Sequence, residues 1–272
     1  MIITKNVGII REVVSKVKMK GGVVGFVPTM GAIHQGHLSL VRAARSECDF
    51  VVVSIFVNPL QFGSKEDYKK YPRARKRDES MLRGERADLV FCPSVKQMHS
   101  QHFSTFVEEA ALSQFLCGKS RPRHFRGVCT VVAKLFNIVN PDIAYFGQKD
   151  YQQAQIIKRM VSDLNFPVKI RVLGIVRERD GLAMSSRNTC LNSEQRRQAS
   201  CLYLALLLAQ KLIEQGEKNP VRLKQRMRWL IEAKKATKVD YAKIVNPETL
   251  QDVKRIDSAV LIALAVYVGG TR

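Results

Sequence analysis

The sequence predicts an α/β protein: a Rossmann-like open parallel sheet with helices on both faces, followed by a smaller α+β domain. Three observations carry this. A strand–turn–helix–strand order opens at Val23 and the alternation persists to Ile175. Polar segments, several of them glycine-bearing, follow the apolar runs, as they do at the carboxyl edge of a parallel sheet. After Val176 the alternation stops and long helical stretches begin.

Val23 to Val27 is a short apolar run ending at Pro28, and it reads as a buried strand. Leu38, Leu40, Val41 and Ala44 then recur at helical spacing, and Phe50 to Ile55 is a second β-branched run, which completes a βαβ unit. Asp88 to Phe91 is a strand. Phe125 to Phe136 is an amphipathic helix with Val128, Val131, Val132 and Leu135 on one side. Ile143 to Phe146 is a strand, Tyr151 to Asp163 a helix and Val168 to Ile175 a strand. In the remainder, Glu194 to Glu214 is expected as one long helix and Val221 to Ala236 as a basic amphipathic one. Val239 to Val245 and Ala259 to Val268 are expected as strands. The boundary falls near residue 176, giving domains 1–175 and 176–272.

Composition narrows the class. With 46% hydrophobic residues among 272, wholesale disorder is excluded. Lys and Arg number 45 against 24 Asp and Glu, a formal charge of +21 that favours anionic partners without choosing among them. None of the six cysteines forms a C-x-x-C pair, which argues against a zinc knuckle or a redox motif. The longest apolar stretch near the end, Ala259 to Val268, is far too short to cross a bilayer, and Met1 to Lys5 lack a signal peptide's pattern, so no membrane and a cytoplasmic address are expected.

Four segments carry chemistry. Pro28 to His37 ends a strand and opens a helix with the array His34-Gln35-Gly36-His37. Free N–H groups and the positive dipole end of a helix favour phosphate, glycine lets a ligand approach, and imidazoles there can stabilise charge at an α-phosphate. The bland alternative is an exposed turn with two surface histidines. Phe146 to Gln153 also follows a strand: Lys149 can serve as a point charge on phosphate, Gln153 lies one turn into the helix, and Asp150 is the natural cap. Asp180 to Asn188 offers two hydroxyls and an arginine to a triphosphate, on a loop that can close and exclude water. Ser54 to Gly63 places Asn58 and Gln61 beside apolar side chains, which suits a small, partly apolar hydroxy acid.

Taken together, and with Tyr71-Pro72-Arg73 and His124 to Val128, these stretches resemble the pantoate–β-alanine ligase family of the nucleotidylyl-transferase superfamily. The resemblance implies ATP-dependent condensation of pantoate with β-alanine through a pantoyl adenylate, with AMP and pyrophosphate released, and it implies Mg2+ and a homodimer. It places ATP on Met30, Gly31, Ala32, Ile33, His34, Gln35, Gly36 and His37, on Gly147, Gln148, Lys149 and Asp150, on Val176, and on Met184, Ser185, Ser186 and Arg187. His37, His34 and Lys149 are the implied catalytic groups. Gln61 and Gln153 would hold pantoate with Asn58 beside them, Gln61 would also touch β-alanine, and Asp78 aligns with an acidic, magnesium-linked region. Arg123 stands where the family commonly has glycine.

Two other classes remain to be weighed. The basic run from Arg222 to Lys243 could serve a nucleic-acid binder, but Leu223, Met227, Leu230 and Ile231 alternate with the charges, so a solvated helix face is expected and no nucleic acid. A nucleotidylyl transferase for mononucleotides would want a basic group where this chain has Asn58, Gln61 and Gln153.

Overall fold

A computed structural model describes residues 1–63 and 68–272. Two compact units divide the chain: Met1–Ala110 with Arg121–Val176, and Ala111–Ser120 with Arg177–Arg272.

The first unit is built on a six-stranded, all-parallel sheet. Its elements are β1 (Ile2–Thr4), α1 (Val7–Met19), β2 (Val24–Thr29), α2 (Gln35–Glu47), β3 (Phe50–Ile55), α3 (Arg75–Gly84), β4 (Leu89–Phe91), α4 (His124–Val139), β5 (Ile143–Gly147), α5 (Tyr151–Asp163) and β6 (Lys169–Leu173). The strand order is β1-β4-β3-β2-β5-β6. From β2 the chain first builds outward to β3 and β4. It later returns to lay β5 on the other side of β2, so the order reverses there and leaves a crevice at the carboxyl ends of β2 and β5.

Side chains alternate across this sheet. Val27, Val51, Val53 and Val90 pack with Leu38, Val41 and other apolar residues of α2. Phe26 points the other way, onto Phe136 of α4, with ring centroids 6.4 Å apart. Both faces are therefore covered, as the near-continuous burial of β2, β3 and β4 requires.

Several expectations need correction. β1 and α1 precede Val23, where the expected alternation opens. β1 has only three residues, too few for a period to register. β2 does not stop before Pro28; it continues to Thr29, with Pro28 opposite Ser54. A proline is tolerated inside this strand because pairing with β5 is confined to Gly25 and Phe26.

The second unit contains α6 (Ser193–Ala199), α7 (Cys201–Glu214), α8 (Pro220–Glu232) and an antiparallel pair, β7 (Thr237–Val245) and β8 (Leu261–Val268). The single helix expected over Glu194 to Glu214 is two, broken at Ser200, whose hydroxyl donates to the Arg197 carbonyl at 2.8 Å. α8 ends at Glu232, short of Ala236. Residues 111–120, expected within domain 1–175, fall in this unit: Cys117 Sγ lies 3.0 Å from the Tyr241 hydroxyl of β7.

Arg123, at the entrance to α4, adopts φ 65° and ψ 0° and makes no side-chain cap. That left-handed conformation costs a side-chain-bearing residue about 1–2 kcal/mol. Arg123→Gly is therefore expected to stabilise the protein by about 0.5–1 kcal/mol after glycine's extra unfolded-state entropy is deducted, visible as a raised urea midpoint. An unchanged or lowered midpoint would show that the arginine side chain offsets its own strain.

Candidate active site

The turn after β2 is held by side chains. The Thr29 hydroxyl accepts from Gly31 N–H at 3.1 Å and donates to the Ser54 carbonyl at 2.7 Å, which fastens the turn to β3. Gly31 and Ala32 both lie in the left-handed region, at φ 80° and 50°. A Cβ on Gly31 would come within 2.9 Å of Ile55 Cγ2 and 3.1 Å of Asp78 Oδ2, so the position requires glycine. Asp78, from α3, is 1% exposed and spends both oxygens here: Oδ2 accepts from Ala32 N–H at 2.9 Å and Oδ1 from Ile33 N–H at 2.8 Å. Burial pushes its carboxyl above the ordinary value, while the two N–H donors pull it back. Asp78 is thus a clamp on the turn. Among the described residues no three His, Cys, Asp or Glu side chains gather to hold a metal ion.

His34 and His37 are not two surface histidines on an exposed turn. His34 is the N-cap of α2 and His37 its third residue, and the two form a reciprocal capping box. His34 Nδ1 accepts from Gly36 N–H at 3.1 Å, and His37 Nδ1 faces the His34 N–H at 3.4 Å. With Nδ1 occupied as an acceptor, each neutral ring carries its proton on Nε2. The rings lie 4.0 Å apart. Burial lowers His34 to about 4, with the Lys149 charge adding to it, and lowers His37 to about 3, with His34 and Lys149 adding to it. Both imidazoles are neutral at neutral pH, each with an Nε2–H donor beyond those used for capping. Gln35 is exposed and Gly36 half-buried in the first turn.

The segment after β5 comes to the same place. Lys149 and Asp150 act electrostatically on both imidazoles, the ammonium against protonation and the carboxylate for it. Gly147 is half-buried, and Gln148, Lys149 and Asp150 are exposed. Asp150 occupies the N-cap position of α5, but its side chain does not cap the helix; it lies 3.7 Å from Lys149 Nζ. Gln153 is half-buried in the first turn of α5.

The turn after β3 adds neutral amides. Asn58 is 1% exposed and Gln61 8%. Asn58 Oδ1 accepts from Leu60 N–H at 3.2 Å, and Nδ2 donates to the Gly127 carbonyl at 3.0 Å and to Gln61 Oε1 at 3.1 Å. His99 Nε2 stands 3.0 Å from the same Oδ1. All four hydrogen-bonding valences of Asn58 are engaged inside the protein, and through Nδ2 it holds Gln61. Gln61 Nε2 reaches Met30 Sδ at 3.2 Å, which joins the β3 turn to the β2 turn.

Val176 closes the first unit and is half-buried. In the second unit, Arg177 bridges to Ala183 around a tight turn. Gly181 there has φ 85°, and a Cβ on it would collide with Tyr203 at 1.8 Å. Asp180 pairs with both terminal nitrogens of Arg196, at 2.5 and 3.1 Å. Met184 and Ser185 follow, and the Ser185 hydroxyl caps the turn Ser186–Cys190 by accepting from Arg187 N–H at 3.2 Å. Met184, Ser185 and Arg187 are half-buried and Ser186 is buried.

The model of a family described as Pantoate-beta-alanine ligase matches residues 2–272. The chain belongs to the pantoate–β-alanine ligase family. A pantothenate synthetase of Thermosipho melanesiensis is 54% identical over 272 residues, covering 100% of this chain and 97% of that one. One from Caldicellulosiruptor saccharolyticus is 53% identical with the same coverage. The crystal structure of pantothenate synthetase from Thermus thermophilus superposes with a TM-score of 0.91 at 43% identity, over 98% of this chain and 97% of that chain. That of pantoate-beta-alanine ligase from Francisella tularensis, complexed with beta-gamma ATP and beta-alanine, gives 0.82 at 34% identity, over 100% and 95%.

Within this pantoate–β-alanine ligase family member, sequence reasoning missed His99 altogether and saw His124 and Gly127 only as matching residues. His124 Nδ1 donates to the Gln61 carbonyl at 2.8 Å because Arg121 occupies its Nε2 at 3.0 Å. Gly127 lets α4 touch the β3 turn: a Cβ there would sit 2.4 Å from the Leu60 carbonyl oxygen and 2.7 Å from Gln61 N. No spacing announces such a contact; only the glycine in an otherwise apolar helix hints at it.

Two outcomes follow from this geometry. Gly127→Ala is expected to cost about 2–3 kcal/mol, since the obstruction is backbone and cannot rotate away; urea denaturation measures it, and a loss below about 0.5 kcal/mol would contradict the contact. The depressed imidazoles also make stability pH-dependent. A base whose folded pKa lies below its unfolded value of 6.5 contributes fully above pH 6.5, and that contribution is lost as pH falls toward 4 and 3. Urea midpoints of His37→Gln should therefore fall less steeply between pH 6.5 and 4 than those of the parent; parallel slopes would refute the assignment.

Proposed function

We propose that this chain condenses pantoate with β-alanine at the expense of ATP, through a pantoyl adenylate. The observation that carries this reading is the meeting of a helix N-terminus, two neutral Nε2–H donors and the Lys149 ammonium at the carboxyl ends of β2 and β5. Such a site favours polyphosphate. It is supported by the family of the chain and by the ATP and β-alanine bound in the Francisella relative.

In the first step a pantoate carboxylate oxygen bonds to the α-phosphorus, the bond to the β-phosphate bridging oxygen breaks, and pyrophosphate leaves. Charge on the phosphates is met by the first turn of α2, by His34 and His37 as hydrogen-bond donors and by Lys149. An imidazole at about 3 is a poor reservoir of protons at neutral pH, which favours charge stabilisation over proton donation for His37. Gln61 and Gln153 hold pantoate. In the second step the β-alanine amine bonds to the acyl carbon, AMP leaves and the amine gives up one proton. We assign Met30 to Gly36, Gly147, Gln148, Asp150 and Val176 to the nucleotide as well, and Met184 to Arg187 to its triphosphate. The resemblance supports a cytoplasmic homodimer. Magnesium belongs in this reading with the triphosphate as substrate, and no step runs through Asp78. No helix among the described residues is long and apolar enough to cross a membrane.

The test is exchange of labelled pyrophosphate into ATP without β-alanine. Exchange is expected only when pantoate is present; pantoate-independent exchange, or none from a folded protein, would overturn the reading. His37→Gln should slow exchange by about 10²–10³-fold. Gln153→Ala should raise the KM for pantoate about tenfold and leave that for ATP unchanged, whereas an equal rise in both would remove Gln153 from the acid site.

A further inference from the structure

Gln61 has an amide whose two ends look alike in shape and opposite in chemistry. Which end meets the acid substrate is decided by its neighbours. The Gly127 carbonyl can only accept and the Leu60 N–H can only donate, so Asn58 must turn Nδ2 to the first and Oδ1 to the second. Nδ2 then takes Gln61 Oε1. The remaining lone pair of Asn58 Oδ1 faces His99 Nε2 at 3.0 Å, and only an N–H can satisfy it.

His99 ends the helical turn Val95–Met98 after β4, and its ring is packed by Phe103 at 4.9 Å and Phe56 at 5.9 Å. Its other nitrogen, Nδ1, is buried with no hydrogen-bond partner. Burial, with the Lys134 charge adding to it, holds the imidazole below its ordinary value, so the ring is neutral and has one N–H to give. A buried polar atom left unpaired costs free energy; here the cost accompanies a single retained bond, the one to Asn58.

We propose that His99 is a positioning residue for the acid substrate: its Nε2–H completes the shell of Asn58, which fixes the Gln61 amide with its NH2 group toward the ligand. The inference rests on the reading above that Gln61 binds pantoate. A carboxylate or hydroxyl oxygen would then be met by a donor already oriented, with no rotamer left to freeze on binding.

His99→Phe keeps the ring packing and deletes the donor. It is expected to raise the KM for pantoate about tenfold, to leave the KM for ATP within about twofold, and not to lower the urea midpoint, because the orphaned Nδ1 disappears as well. His99→Gln, whose amide nitrogen can replace Nε2, should bring the pantoate KM back to within about twofold of the parent. Equal rises in both KM values, or an unchanged pantoate KM in His99→Phe, would overturn the proposal. Gln61→Ala is measured alongside. If it too leaves pantoate unaffected, the assignment of Gln61 has failed; if it weakens pantoate while His99→Phe does not, only the role of His99 has. Nitrogen-15 NMR of the unaltered protein gives a readout independent of any variant: the Nε2–H tautomer is expected at His99, and the Nδ1–H tautomer would overturn the proposal.

Discussion

The reversal of strand order at β2 is the constraint on which the site depends. Because β3 lies on one side of β2 and β5 on the other, the loops leaving the carboxyl ends of β2 and β5 cannot cover each other, and a crevice stays open between them. Every group proposed to meet phosphate in the first unit enters from one of those two ends. The pairing register then matters more than any single side chain: sliding β5 by one residue against β2 would move the segment from Gly147 to Asp150 and turn the strand's faces over.

Around the crevice the groups proposed to face a ligand are fixed by buried polar side chains behind them. Asp78 accepts from Ala32 N–H and Ile33 N–H with one oxygen each, and Asn58 engages its whole amide on Gln61, Leu60, Gly127 and His99. Each fixes a neighbouring group proposed to meet a ligand. Fully satisfied buried polar groups are rigid because every displacement strands a donor or acceptor in a low-dielectric interior.

Much of this was legible in the sequence. β3 and α5 fall on the residues their apolar spacing picks out, Phe50–Ile55 and Tyr151–Asp163, because burial of one face imposes a period the sequence must keep. That His34 and His37 sit where a strand hands over to a helix was legible as well, since strand, glycine and helix start are contiguous. What stayed hidden were contacts between segments far apart in the chain. Asp78 reaches Ala32 across 46 residues and Asn58 meets the Gly127 carbonyl across 69, and no local pattern encodes such partners. The break at Ser200 was hidden for another reason: the apolar stretch from Leu202 to Leu208 continues the helical texture, and a serine that bonds back to its own helix leaves the hydrophobic pattern intact.

The capping box of α2 has a consequence for the order in which the molecule assembles. Initiating a helix is the slow and costly part of forming one, because several residues must be fixed before the first hydrogen bond is won. Here the side chains that close that first turn are the two imidazoles themselves. The rings are therefore oriented in the act of nucleation, and a chain in which α2 has formed with its cap already holds both Nε2–H groups in register.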